Sequence, residues 1–113
     1  MEVGAWVKSF PGAVTLADAE GIIVAMNDTA AEMFVKSGGR ELIGKSLLDC
    51  HPEPSLSKLK EVMESKQVNC YTVEREGIKK MVYQGPWHAD GQYMGIMEMV
   101  FGLPADMPHY VRD

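Results

Sequence analysis

The chain has 113 residues and a formal net charge of −5, which gives one domain with one core and a surface that repels a phosphate backbone, so nucleic-acid binding is not expected. No apolar run approaches the roughly 20 residues that a membrane-crossing helix needs. The two cysteines, Cys50 and Cys70, are too few and too far apart for a disulfide framework or a zinc site, and the start lacks a basic region followed by an apolar one, so reduced thiols and a cytoplasmic location are expected.

Residues 1–10 carry Val3, Trp6, Val7 and Phe10 on one side of a short amphipathic helix that Pro11 and Gly12 stop. Residues 13–17 form a first strand. The acidic turn 18–21 leads to a second over 22–26, where the apolar run is too short for a helix and rich in β-branching. Asn27 and Asp28 offer side-chain oxygens to the free amides of a helix start, and Thr29 and Glu32 have capping-box spacing. This predicts a helix over 28–36 that turns Ala30, Ala31, Met33 and Phe34 toward a sheet. Gly38 and Gly39 end it, and 40–43 make one further helical turn closed by Gly44.

Pro52 and Pro54 forbid a continuing helix. Ser55 is the expected cap of the next, in which Leu59, Val62 and Met63 form an apolar stripe with Lys58, Lys60, Glu61 and Glu64 outward. After a turn at Lys66 and Gln67, alternation over 68–76 separates Val68, Cys70, Thr72 and Glu74 from Asn69, Tyr71 and Val73. Glu76 and Gly77 join this strand to one over 78–84, with Met81 and Tyr83 opposite Val82. Gly85 and Pro86 then interrupt it as a bulge or an edge feature, because proline donates nothing to a ladder. Asp90 and Gly91 signal a hairpin. The last strand, 93–102, places Met97, Met99 and Phe101 on one face and Met94, Ile96, Glu98 and Val100 on the other. Residues 104–113 have no period and read as a strap or a linker. Nine methionines suit an ordinary core or an adaptable pocket.

The runs VTLADAEGIIVAMN from Val14 to Asn27, AAEMF after it, ELIGKS from Glu41, LLDCHP from Leu47 and DGQYMGIME from Asp90 together resemble a PAS domain over roughly residues 10–102. The resemblance implies an α+β fold: a five-stranded antiparallel sheet with short helices packed on one face, plus a short N-terminal helix. It divides the chain into an N-terminal helix or cap at 1–10, the PAS-like domain at 11–103 and a tail or linker at 104–113. It also implies a sensory module of signal transduction that binds a small, apolar ligand or mediates dimerisation. A homodimer through the outer sheet face and the leading helix is expected, with a downstream signalling protein as partner. One rival is a ligand-free interaction scaffold of the same fold. Another is a small enzyme using His51 or His88 as base with Glu98, but no Walker, Rossmann, HExxH or GxSxG pattern supports it and no enzyme is expected.

The resemblance places the pocket between the inner sheet face and the helices. Its candidate lining is His51, Cys50, Met33, Phe34, Leu47, Met63, Tyr71 and Met97, together with Met26, Leu42, Ile43 and Leu59, subject to a one-residue register flip of any strand. His51 is either a ligand, for instance to haem iron, or a turn residue before Pro52, and Cys50 a redox thiolate or a bystander. A flavin–cysteine adduct is not expected, since Cys50 lacks the asparagine-, arginine- and glutamine-rich surroundings that the light-sensing members have. Cys70 reads as a small buried hydrophobe, and His88 beside Trp87 as a stacking ring or a cover on the sheet end. A lone core-facing Glu98 would cost several kcal/mol unless a basic residue such as Arg75, Lys79 or Lys80 paired with it. The resemblance implies that it faces solvent or a second copy instead.

Overall fold

A short helix, α1 (Ala5–Lys8), leads into the hairpin β1 (Ala13–Asp18) and β2 (Ile23–Met26) and the helix α2 (Asp28–Met33). Three single 3-10 turns, Val35–Ser37, Gly39–Leu42 and Leu48–Cys50, carry the chain to α3 (Ser55–Ser65), and the strands β3 (Asn69–Arg75), β4 (Ile78–Ala89) and β5 (Gln92–Leu103) complete it. This is a computed structural model that describes residues 4–113 apart from the Cys50 side chain, so the part of the first predicted helix that holds Val3 lies outside the described residues.

The strands form one antiparallel sheet in the order β2-β1-β5-β4-β3. The last strand sits between the first and the fourth, so the two hairpins are stitched together only when β5 is in place. Helices and turns cover one face. Ala13, Ala17, Ile23, Met26 and Ile96 of the sheet meet Ala30 of α2, Leu42 and Leu47 of the turns, and Leu59 and Val62 of α3 in one buried cluster.

Asn27 fastens the opening elements. Its Oδ1 accepts from the amides of Val14 and Ala30, both at 2.9 Å, and its Nδ2 donates to the carbonyls of Val7 and Gly12, also at 2.9 Å. All four hydrogen-bonding positions of a fully buried amide are thereby used. One residue caps α2, ties it to β1 and holds the end of α1. The predicted capping box does not form, because the Thr29 hydroxyl donates to the Phe10 carbonyl instead. Nor does Ser55 cap α3. It is the first helical residue, and the Glu53 carboxylate accepts from the Ser57 hydroxyl and the Ser57 amide one turn on, the hydroxyl first and the amide next holding the Glu53 carboxyl below its usual range.

The alternation of β3, β4 and β5 is as the pattern implies, with Val82 and Ile96 buried on the inner face. The expected break at Gly85 and Pro86 is not one: β4 runs on to Ala89, and its irregularity falls between Trp87 and His88. The proline is tolerated because β3 pairs with β4 only as far as Gln84, so residues 85–89 have β5 alone beside them. Gly95 lies opposite Asp18 and Trp87, and a Cβ there would stand 2.1 Å from the Ala17 carbonyl oxygen, the same oxygen that accepts the Trp87 indole N–H at 2.9 Å. Cys70, expected to be buried, is exposed on the edge strand. On α1, Val7 packs inward while Trp6 is 77% exposed, so the two do not share one covered side as the amphipathic pattern implied.

Candidate functional site

Directly opposed residues of neighbouring strands share a face, and the pairs Thr15–Glu98, Glu98–Gln84 and Gln84–Asn69 run as one row across β1, β5, β4 and β3 on the inner side. The middle of an apolar face thus carries a line of polar side chains. Asn69 Nδ2 donates to Gln84 Oε1 at 3.1 Å, and Gln84 Nε2 donates to Glu98 Oε2 at 2.8 Å. Both amides pass their donors the same way, toward the carboxylate.

His51 meets that carboxylate from the opposite wall. It follows the 3-10 turn Leu48–Cys50, and its Nδ1 lies 2.8 Å from the Leu47 carbonyl, which only accepts, so the proton of the neutral ring sits on Nδ1. Nε2 then points its lone pair at Glu98 Oε2, 3.4 Å away. Adding a proton to Nε2 replaces that repulsion with attraction. The His51 pKa is accordingly raised above its ordinary value of 6.5, by Glu98 first, against the opposing effect of burial, and with help from the Leu47 carbonyl. Glu98 therefore faces the core, paired with Gln84 and His51, and not solvent or a second copy with a lysine or arginine. The side chain is 7% exposed, and the cost of burial is met by an amide and an imidazole.

Two cavities meet at this pair. The larger, about 470 Å³, is lined by Met33, Phe34, Tyr71, Val82 and Val100 on its apolar side and opens past Arg75, Glu76 and Ile78 at the β3–β4 turn. The smaller, about 140 Å³, lies under Thr15, Ile23, Met26, Leu42 and Leu47. Phe34, His51 and Glu98 line both and form the partition between them. Tyr71 is kept a neutral phenol beyond its usual range by burial and then by the Glu98 charge.

Of the candidate lining residues, Met33, Phe34, His51 and Tyr71 come together in the larger cavity and Leu47 in the smaller. Met63 packs against the core cluster near Gly21 and lines neither. Met97 is corrected: it is paired with Leu16 and alternates with the inward Ile96 and Glu98, so it lies on the outer face. The Cys50 side chain is outside the described residues. Ile43 is 40% exposed and Leu59 is fully buried core. His88 stands on the surface edge-to-face with Tyr93, centroids 6.0 Å apart. The sequence reading missed Thr15, Gln84 and Asn69, although a strand that alternates polar residues into register with Glu98 is a signal for them.

A haem iron does not fit this arrangement. A ligating histidine presents a bare Nε2, whereas here that nitrogen faces Glu98, which favours its protonated form. Among the described residues no three histidine, cysteine, aspartate or glutamate side chains gather as a metal site, and no helix is long and apolar enough to cross a membrane.

No curated protein matches the chain in sequence. Solved structures do match in fold. A C-terminal domain from Streptococcus mutans has a TM-score of 0.68 at 24% identity, covering 86% of this chain and 79% of that one. The Aer2 receptor of Vibrio cholerae, described as a dual PAS-haem oxygen sensor, has a TM-score of 0.61 at 14% identity over 82% and 95% of the two chains. A sensory box sensor histidine kinase from the same organism has 0.58 at 18% identity over 81% of each. The family model for the PAS fold matches residues 3–86, three-quarters of the sequence and all the elements that build the site except β5, and the chain therefore belongs to the PAS fold family.

Proposed function

We propose that this domain is a sensory module that takes a small ligand into the pocket between the sheet and the helices and reports its presence to a partner. The observation that carries the reading is the cavity of about 470 Å³ with an apolar wall and a buried carboxylate–imidazole pair at its inner end. That size and that mixture of many apolar groups with few polar ones suit a small-molecule site. Relatives of similar fold described as a receptor and as a sensor histidine kinase support a sensory rather than a catalytic use. The haem of the Aer2 relative is not carried over, for the reason given by His51 and Glu98.

Signalling requires the ligand to favour one arrangement of the wall over another. Phe34, His51 and Glu98 are the side chains that would move, since they divide the cavities. The signal would leave through the outer sheet face, where Leu16, Met97, Met99, Tyr83, Met81 and Phe101 are cross-strand neighbours and half-buried, and where a second copy of the chain would sit. Native mass spectrometry of protein purified from its own host tests both parts. A bound mass on a dimer is expected; an apo monomer at micromolar concentration would overturn the reading.

A further inference from the structure

Glu98 has two carboxylate oxygens, and the protein uses one. Oε2 accepts from Gln84 at 2.8 Å and faces His51 Nε2 at 3.4 Å. Oε1 has no hydrogen-bond partner among the described residues, yet it is not sealed in the interior, since no buried side-chain polar atom there lacks a partner. In a side chain 93% buried, such an oxygen has one place to look, the cavities that Glu98 lines. The polar row explains why it stays there. Asn69 donates to Gln84 and Gln84 to Glu98, so both amides hold the carboxylate in orientation without reaching its second oxygen.

We infer that the pocket selects an uncharged apolar ring compound through a single N–H or O–H donor delivered to Glu98 Oε1. The inference rests on the pocket being a ligand site and adds the chemical class of the ligand. The oxygen is an acceptor at the inner end of a cavity with an apolar wall, where a donor carried by a ligand is better rewarded than in bulk water. A flat ring suits the walls, because Phe34 and Tyr71 offer aromatic faces and edges, and Met33 offers a thioether that adapts to them. A carboxylate at the inner end of the pocket is disfavoured, because it would meet the Glu98 charge there. A cation is not called for, because the His51 imidazole already faces the carboxylate and gains a proton there more readily than a free side chain.

The test uses near-isosteric probe pairs with the full chain, followed by titration of the Tyr71 and Met33 NMR signals. Indole carries the donor and indene lacks it; phenol and toluene form a second pair; benzoate is the anionic probe. Indole and phenol are expected to bind about tenfold or more tightly than their donorless partners, the discrimination that one hydrogen bond to a carboxylate gives, with no saturable shift from benzoate. In Glu98→Gln, which keeps the shape and the Gln84 contact region, the preference should shrink. The wild-type comparison stands if that variant fails to fold. Equal binding of indole and indene overturns the donor selection while leaving the ligand site intact. Binding of neither overturns the class, and native mass spectrometry then separates the two failures: a co-purified donorless or anionic molecule spares the pocket, whereas an apo mass alone removes the sensory reading as well.

Discussion

His51 Nε2 lies 3.4 Å from Glu98 Oε2, while the other nitrogen of the same ring is held by the Leu47 carbonyl at 2.8 Å. The pair joins the turn before α3 to the middle of β5, and its strength depends on a proton. Because the His51 pKa is raised in the folded protein above the 6.5 of the free side chain, the stabilisation is fully present below about pH 6.5 and is lost as pH rises through the folded-state value. The difference in unfolding free energy between wild type and His51→Gln should therefore shrink on going from pH 6 to pH 9. Urea titrations of both proteins across that range measure it. A constant difference would mean that the ring is not paired with the carboxylate.

Asn27→Asp isolates the donor half of the Asn27 clamp. The variant retains an oxygen for the Val14 and Ala30 amides but turns the Nδ2 donor into an acceptor facing the carbonyls of Val7 and Gly12, in a site with no exposure. Two carbonyls lose their donor and a charge is buried against them, so a loss of about 3 kcal/mol or more is expected. Asn27→Ser should lose less, because it can still cap α2 and adds no charge. Chemical denaturation at pH 7 orders the two; Asp equal to or more stable than Ser would refute the role given to the amide nitrogen.

Much of this fold was legible from residues 13–34, because strand, turn, strand and cap each leave a local signature: β-branching at Ile22 to Val24, the glycine at 21, and Asn27 ahead of an apolar helix face. Alternation likewise separated the two faces of each late strand and put Tyr71 on the inner side, but in β5 the inward set is Ile96, Glu98 and Val100 and not the set that holds Met97. Glu98 was the miss that matters. Its partners lie 14 residues away in β4 and 47 away before α3; the search for a lysine or arginine passed over Gln84, and His51 was set beside Glu98 only in the enzyme rival. Met97 was lost by the alternation of a single strand, in which a neighbour one position away points to the opposite face. Cys70 shows the limit of pattern on an edge strand, where the face is set but the cover over it is not.

At Gly95 the expected effect of substitution comes from space as much as from backbone conformation. A Cβ would stand 2.1 Å from the Ala17 oxygen and 2.4 Å from the Asp18 carbonyl carbon, with φ at +147°. Both neighbours are backbone in the paired strand and cannot step aside without parting β1 from β5. Gly95→Ala should cost about 3 kcal/mol or more. Gly77→Ala is the control, since φ is +79° there with nothing near the added carbon, and about 1 kcal/mol is expected from conformation alone. Thermal melts of the two variants compare them directly, and similar midpoints would show that crowding at Gly95 is not the constraint.

Gln84→Glu probes the polar row at its most buried member. The amide that donates to Glu98 at 2.8 Å is replaced by a second carboxyl on a side chain that is 2% exposed. Two carboxylates at that separation resist ionising together, so the introduced group takes a folded-state pKa above the ordinary glutamate value near 4.3. A carboxyl that ionises freely when unfolded but reluctantly when folded destabilises progressively as pH rises past its unfolded value. The variant should thus approach wild-type stability near pH 4.5, where a protonated carboxyl can still donate to Glu98, and lose roughly 2–4 kcal/mol relative to wild type by pH 8. His51 bears on the same site: while the ring holds its proton, the imidazolium offsets part of the repulsion, which steepens the fall as pH rises through the His51 titration above 6.5. A pH-independent difference between the two proteins would place the introduced carboxyl in water, away from Glu98, and would break the continuity of the row from Asn69 to Thr15.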